Sequence, residues 1–218
     1  MSKKGKKKKR RDASFARIQQ DMKSDAFLLK YEYAISEVKR LLGQINQQQD
    51  AKDTHKSIEY ITSRIKSPES AVEKLRRKGR EVSICSMEKN LNDIAGVCVV
   101  CAYYEDVYQV AEKLEQCPQV RILKRKDFIR KPKTSGYRSL HLILGMPSHG
   151  PKEQEQVKVE VQIRTLAMDA WARLDHELHY KKKIQDVEQI SRDLKRCADS
   201  IEELDDTMQN IRNRLKKL

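Results

Sequence analysis

No apolar run in the chain approaches the ~20 residues that a membrane-crossing helix requires, so no helical membrane span is expected. The basic start, Met1–Arg11, is followed by no apolar core, and no secretory signal is expected either. The sequence lacks G-x-x-x-x-G-K-[ST], which excludes a P-loop enzyme. It lacks H-E-x-x-H, and the pair His176 and His179, at i and i+3, is read as structural or exposed rather than metal-binding. No solenoid-type repeat is visible. No second cysteine pair accompanies Cys98-Val99-Val100-Cys101. In an extended apolar run, residues three apart point to opposite faces, which argues against a shared metal or redox site. Five cysteines without secretory context fit reduced thiols in a cytoplasm.

What the chain has in excess is positive charge. The net charge is +14 over 218 residues, and eight of the lysines and arginines lie in Met1–Arg11, which carries no acid. Such an arm suits RNA, the ribosome or another anionic surface, and it suits equally a solubility feature without a role. The length allows one well-buried domain with appendages or two small ones.

Taken in order, Asp12 or Ser14 could cap a long helix ending near Gly43, with Phe27, Tyr31, Ala34, Ile35, Val38, Leu41, Leu42 and Ile45 on one stripe. Gln44–Asp53 is polar and reads as a connection. Ser67-Pro68-Glu69 is a helix start: Ser67 as N-cap, Pro68 first in the helix, Glu69 complementing the dipole. Ser70, Lys74 and Arg77 then share a face behind Arg64 and Lys66, an arrangement suited to polyphosphate and also to a plain solvated helix. Asp93 stands at the mouth of an apolar strand, Ile94–Ala102. An amphipathic helix (Glu105–Gln116) and a strand (Gln119–Arg125) complete a β-α-β unit.

Lys126–His141 is a basic loop turning at Pro132 and Gly136 into an expected strand, Tyr137–Leu144. In Val157–Arg164 the valines and Ile163 form one face, and Lys158, Glu160, Gln162 and Arg164 the other, as in an edge strand or a central strand facing a cleft. Thr165 caps a helix expected to bury Ala167, Ala170, Trp171, Leu174 and Leu178. The last helix, from about Asp186, carries a 3-4 apolar repeat of coiled-coil type, from Val187 to Leu215. It is expected to pack on the first helix, on another subunit, or on both.

Asp93 and Glu160 are two strand-borne carboxylates able to share Mg²⁺, a hard ion with oxygen ligands. The cations around Ser70–Arg77 and Lys126–Arg138 would balance polyphosphate, and Tyr137 offers a stacking face. The pattern suits phosphoryl-type transfer, in which catalysis is mainly positioning and charge stabilisation.

In this order, certain segments resemble the small, single-domain alarmone synthetases of the RelA/SpoT family from about Phe27 to Leu215. They are Arg64–Ser70, Asp93–Gly96, Lys126–Ile129, Lys133–His141, Glu160–Asp169, Trp171-Ala172, Asp175-His176 and Tyr180-Lys181. The resemblance implies a mixed sheet of about five strands flanked by helices, a nucleotidyltransferase-like α/β (α+β) fold. It implies transfer of the β,γ-pyrophosphate of ATP to the ribose 3′-OH of GDP or GTP, giving ppGpp or pppGpp and AMP. By that likeness Arg64, Lys66, Ser70, Lys74 and Arg77 hold ATP. Asp93 and Glu160 ligate Mg²⁺, and Glu160 helps deprotonate the 3′-OH. Tyr137 stacks on guanine, while Lys133, His141, Gln162, Arg164 and Asp169 bind the acceptor. A homotetramer is implied, which suits the last helix. The family commonly carries Arg two residues after Ala-Gly, covering adenine; Cys98 stands there here. Weak ATP binding is expected unless a cation from another segment, such as Arg77 or Lys78, fills the space. Asp175-His176 replaces the more usual Glu-His.

The implied organisation is a basic tail over residues 1–13, a synthetase domain over 14–183, and an oligomerising helix over 184–218. A cytoplasmic location is implied as well. Two other readings remain: a relative that pyrophosphorylates the 3′ end of tRNA, and a non-catalytic RNA-binding relative.

Overall fold

The computed structural model describes residues 13–47, 56–147, 156–180 and 186–217, without the side chains of 179 and 180. The Met1–Arg11 run, the Asp12 cap and most of Gln44–Asp53 lie outside these residues.

The long first helix is in fact two, α1 (residues 13–21) and α2 (Asp25–Gln47). Ser24 makes the break: its Oγ donates to the Asp21 carbonyl and accepts the Phe27 amide. α2 runs past Gly43 and buries the eight apolar residues of its expected stripe.

β1 (Ile58–Ile65) is a strand that the sequence reading passed over. α3 (Pro68–Arg77) starts as read, with Ser67 Oγ accepting the Ser70 amide at 3.2 Å. It ends at Gly79, whose φ of +64° lies in the left-handed region that glycine adopts at helix C-termini. A short α4 (Ile84–Asn90), also unforeseen, is capped by Ser83. β2 (Ala95–Cys101), α5 (Tyr104–Glu115) and β3 (Arg121–Asp127) follow close to their expected bounds.

β4 (Leu140–Pro147) begins three residues later than expected. Gly136 has φ +93°, and the amides of Gly136 and Lys133 bond to the Lys133 and Tyr137 carbonyls, so 133–137 is a closed turn rather than a strand. β5 (Gln156–Thr165), α6 (Leu166–Tyr180) and α7 (Val187–Leu215) complete the chain. Thr165 caps α6 as read, accepting the Met168 amide at 3.1 Å. The buried residues of α6 include Met168, Asp169 and Trp171, whereas Ala170 and Leu174 are exposed.

The five strands form one sheet in the order β1-β2-β5-β4-β3. β2 and β5 run parallel, and the other neighbours are antiparallel. β5 is therefore central, and its alternation marks a cleft rather than an edge. Ala95, Val97, Val99 and Cys101, together with Val157, Val159, Val161 and Ile163 and with Leu140, Leu142 and Leu144, line one face and merge into the main core with α2 and α5. Each Val, Leu or Ile among them contributes roughly 1.5–3 kcal/mol by burial. Gly96, Cys98, Glu160, Gln162, Arg164 and His141 are left to the opposite face. Cys98 and Cys101 thus lie on different faces, as the sequence required.

α7 packs on α6 and α5 of its own chain. Its docked face follows the apolar repeat only in its first half, where Ile190, Leu194 and Ile201 pack with Trp171. It buries Leu194 and Ala198 and then Asp205, Gln209 and Arg212. Thr165 Oγ1 donates to Asp205, the Glu105 amide donates to Gln209, and Arg212 Nη1 donates to Asp106 at 2.7 Å. Burial pushes the Asp205 carboxyl up to about 6. Leu204, Ile211 and Leu215 of the repeat stay about half exposed or more.

Asp106 is fully buried and Arg212 nearly so. Arg212→Ala should cost ~3 kcal/mol, because it takes the guanidinium away from a buried carboxylate. In urea unfolding this should read as a lower midpoint at unchanged slope; an unchanged midpoint would mean that α7 is not docked by this pair.

Candidate active site

Asp93 sits in the turn that feeds β2. The Lys66 amide bonds to the Ile94 carbonyl at 2.8 Å, which pins the start of α3 beside it. Lys66 Nζ and Lys74 Nζ both donate to Asp93 Oδ2, at 3.0 and 2.7 Å. Burial alone would raise this carboxyl, but Lys74 and Lys66 outweigh it and hold it below the usual carboxylate range. Oδ1 is buried and has no hydrogen-bond partner among the described residues. Of the remaining α3-side residues, Arg64, Ser70 and Arg77 are exposed. The Arg64 side chain lies across Gly96, where an added Cβ would sit 3.7 Å from its Cγ.

Strand register sets the second carboxylate. Gly96 opposes Arg64 on one side and Glu160 on the other; one step along the cleft face, Cys98 opposes Thr62 and Gln162, and Gln162 opposes His141. Glu160 accepts from Gln162 Nε2 at 3.1 Å and lies 3.3 Å from His141 Nδ1. Burial and the nearby Asp93 charge push Glu160 up, yet the bonds from His141 and Gln162 prevail and keep it below its ordinary value. A carboxylate only accepts, so His141 Nδ1 donates to Glu160, and its Nε2 lies 2.9 Å from Tyr137 OH. The line Tyr137–His141–Glu160 is one hydrogen-bonded chain.

Tyr137 is largely enclosed, and burial raises its phenol. Lys133 Nζ lies 4.3 Å from its ring centroid and 4.9 Å from that of Phe128; Arg164 lies 5.8 Å from the Tyr137 ring. Burial, and then the Lys126 charge, push the Lys133 ammonium below its ordinary value. Arg164 also donates to Gln162. The structure thus brings Lys133, Tyr137, His141, Gln162 and Arg164 to one wall of the cleft.

Asp169 is placed differently. It is buried in α6 and receives Arg173 Nε at 2.6 Å, Tyr60 OH at 2.7 Å, Arg164 Nη1 at 3.3 Å and the Cys98 thiol at 3.8 Å. It organises side chains along the cleft wall. Arg173 and Tyr60 were not singled out from the sequence; the i, i+4 spacing of Asp169 and Arg173 was the available signal. The cations beside Cys98 are Arg164 and Arg173, not Arg77 or Lys78. Lys78 is turned away to the Asn90 carbonyl. His176 is exposed. Among the described residues no group of three or more His, Cys, Asp or Glu could hold a metal ion, so a cation here would rest on Asp93 and Glu160 and on oxygens of a bound substrate.

One carboxylate held by two lysines and a second held by His141 and Gln162, beside an aromatic and cationic wall, make a site suited to nucleotide phosphates. The comparisons agree and narrow it. The model of the region found in RelA / SpoT proteins matches residues 63–185. GTP pyrophosphokinase YwaC of Bacillus subtilis is 40% identical over 195 residues, covering 89% of this chain and 92% of that protein. The crystal structure of small alarmone synthetase 1 from Bacillus subtilis bound to its product pppGpp superposes with a TM-score of 0.78 at 35% identity, covering 86% of this chain and 95% of that one. The same synthetase bound to AMPCPP gives 0.73 at 33% identity, covering 88% and 97%. The chain belongs to the RelA/SpoT family.

The depressed Asp93 value has a stability consequence. A carboxyl lowered on folding contributes stability above its unfolded pKa and loses it as pH falls through the folded value. The Tm advantage of the wild type over Asp93→Asn should therefore be greatest near neutral pH and shrink steadily below about pH 4. A difference independent of pH would show that the lysines do not hold Asp93 in the charged form.

Proposed function

We propose that the protein is a GTP pyrophosphokinase of the small alarmone synthetase type, which moves the β,γ-pyrophosphate of ATP onto the ribose 3′-OH of GDP or GTP. The acceptor oxygen forms a bond to the β-phosphorus of ATP, the α–β bridge breaks, and AMP leaves with the bridging oxygen. The observation that carries this reading is the orphaned, buried Asp93 oxygen beside Glu160 under two lysines.

ATP is assigned to Arg64, Lys66, Ser70, Lys74 and Arg77. Lys66 and Lys74, now paired with Asp93, would exchange that carboxylate for phosphate oxygens. Asp93 and Glu160 would hold Mg²⁺, which the hard-oxygen donor set and the unsatisfied Oδ1 fit. The ion would offset charge on the transferring group. Tyr137 is the acceptor's stacking surface, and Lys133, His141, Gln162 and Arg164 surround it. Asp169, assigned to the acceptor by resemblance, acts in this reading by holding Arg164 and Arg173. Glu160 takes the 3′-OH proton. Its low pKa makes it a weak base, adequate where the transition state is loose and the proton leaves late. His141 orients it by the Nδ1 hydrogen bond.

The half-exposed apolar repeat on α7 supports a homo-oligomer, with the tetramer of the resemblance as the expected size. The residues 1–13 tail remains the candidate contact for RNA or ribosome. No helix among the described residues is long and apolar enough to cross a membrane; a cytoplasmic enzyme fits this.

Incubation with labelled ATP and GDP should yield ppGpp and AMP. Asp93→Asn and Glu160→Gln should each lower the rate by ~10²-fold or more with the fold intact. Retention of most activity at saturating Mg²⁺ would remove that residue from the role. Product on tRNA but none on GDP or GTP would favour the tRNA-modifying reading.

Cys98→Arg tests the donor side. A guanidinium at this position should lower the KM for ATP about two- to thirty-fold, the range that stacking on the adenine allows, and leave the acceptor KM nearly unchanged. An unchanged ATP KM in a well-folded variant would mean that the cations already present hold the adenine.

A further inference from the structure

We infer that Glu202, on α7, is a positioning residue for the acceptor side of the reaction, acting through Arg138 on the turn that carries Lys133 and Tyr137. The inference rests on the assignment of that turn to the acceptor.

The segment between β3 and β4 is closed on itself. The Phe128 amide bonds to the Ser139 carbonyl at 3.0 Å, and the Lys133 amide to the Tyr137 carbonyl at 3.2 Å. Nothing in these bonds fixes the turn against the rest of the molecule. α7 does so from behind. At Gly136 an added Cβ would sit 2.5 Å from Ala198 Cβ, so the turn lies directly on the helix backbone's small side chain. Trp171, whose ring lies 6.3 Å from that of Tyr137, donates Nε1–H to the Leu194 carbonyl at 2.8 Å.

Arg138 is the charged part of this joint. Tyr137 and Arg138 are adjacent and point apart, Tyr137 to His141 in the cleft and Arg138 to α7. Arg138 is nine-tenths buried. Its Nη1 donates to the Ile129 carbonyl at 3.2 Å and to Glu202 Oε1 at 2.7 Å, and its Nη2 donates to Glu202 Oε2. The fork therefore spans the turn, from Ile129 to Arg138, and ties both ends to one carboxylate. A buried guanidinium without its carboxylate would move toward water, and the turn would move with it. A displacement of about 1 Å at a substrate-positioning group is enough to cost binding and rate.

The expected effect is selective. ATP-side residues sit on β1 and α3, at the opposite edge of the sheet from the β3–β4 turn. The Glu202 side chain is itself half exposed, so its removal leaves no cavity and the fold should survive.

The test is steady-state kinetics of Glu202→Ala and Glu202→Gln, with GDP and ATP varied separately and Tm measured alongside. The KM for GDP should rise about three- to twenty-fold, less for Gln than for Ala, with the KM for ATP within about two-fold and Tm little changed. Arg138→Lys should also raise the GDP KM, and adding Glu202→Gln to it should cause little further change, because the two act as one unit. Unchanged GDP KM, or equal rises in both KM values with a lowered Tm, would overturn the inference. Tyr137→Ala separates it from its premise: Tyr137→Phe should be mild and Tyr137→Ala severe in GDP KM. If Tyr137→Ala is silent, the acceptor assignment falls and this inference with it; if Tyr137→Ala is severe and the Glu202 variants are silent, this inference falls alone.

Discussion

The site depends on one pairing, the parallel ladder of β2 with β5. Its register sets Gly96 against Glu160 and Cys98 against Gln162. A slip of one residue would turn Glu160, Gln162 and Arg164 into the core and four apolar side chains out of it. Val157, Val159, Val161, Ile163, Ala95, Val97 and Val99 are at most 2% exposed, so that slip would forfeit much of the core. Apolar burial on one face thus holds a polar constellation in place on the other. Gly96, with no side chain, keeps the floor open beneath Arg64 and beside Glu160.

The second constraint is charge. Asp93 and Glu160 are both mostly enclosed, and each would tend to take up a proton for that reason. Asp93 stays ionised because two lysines donate to it, and Glu160 because His141 and Gln162 do. In the proposed reading the cleft takes ligands that bring their own anionic oxygens together with a cation. Tyr137, with Lys133 against its ring, joins Glu160 through His141, and Asp169 gathers Arg164, Arg173 and Tyr60. These contacts span five secondary-structure elements (β1, α3, β4, β5 and α6) and the connections between them, which is why no local motif contains the site.

Much of this was legible in the residues. The alternation in Val157–Arg164 showed which side chains share a face, and the Ser67-Pro68 start fixed α3. Asp93 and Glu160 stood out by strand position. The failures have physical causes. β1 was missed because an edge strand buries few of its side chains and alternates weakly, and Tyr60 was lost with it. β4 was started too early because an apolar alternation was extended through a closed glycine turn. The second half of the docked face of α7 was not visible because Asp205, Gln209 and Arg212 find partners far away in the sequence, Arg212 at Asp106 across 106 positions. Polar side chains whose partners are that distant leave no local pattern, and in this half of the helix the repeat residues Leu204, Ile211 and Leu215 lie on the face that is left open. The contacts of Asp169 were similarly out of reach, since three of its donors, Tyr60, Arg164 and Cys98, come from three different strands.

The central claim is that Asp93 and Glu160 form a single divalent-cation site with the donor nucleotide. Calorimetry of Mg²⁺ binding in the presence of AMPCPP, on the wild type, Asp93→Asn, Glu160→Gln and the double variant, tests this most directly. If the two carboxylates hold one ion, each single change should weaken Mg²⁺ binding by at least about tenfold, and the double variant should fall well short of the sum of the two free-energy losses. Losses that simply add, or a single variant that binds Mg²⁺ as the wild type does, would contradict the account.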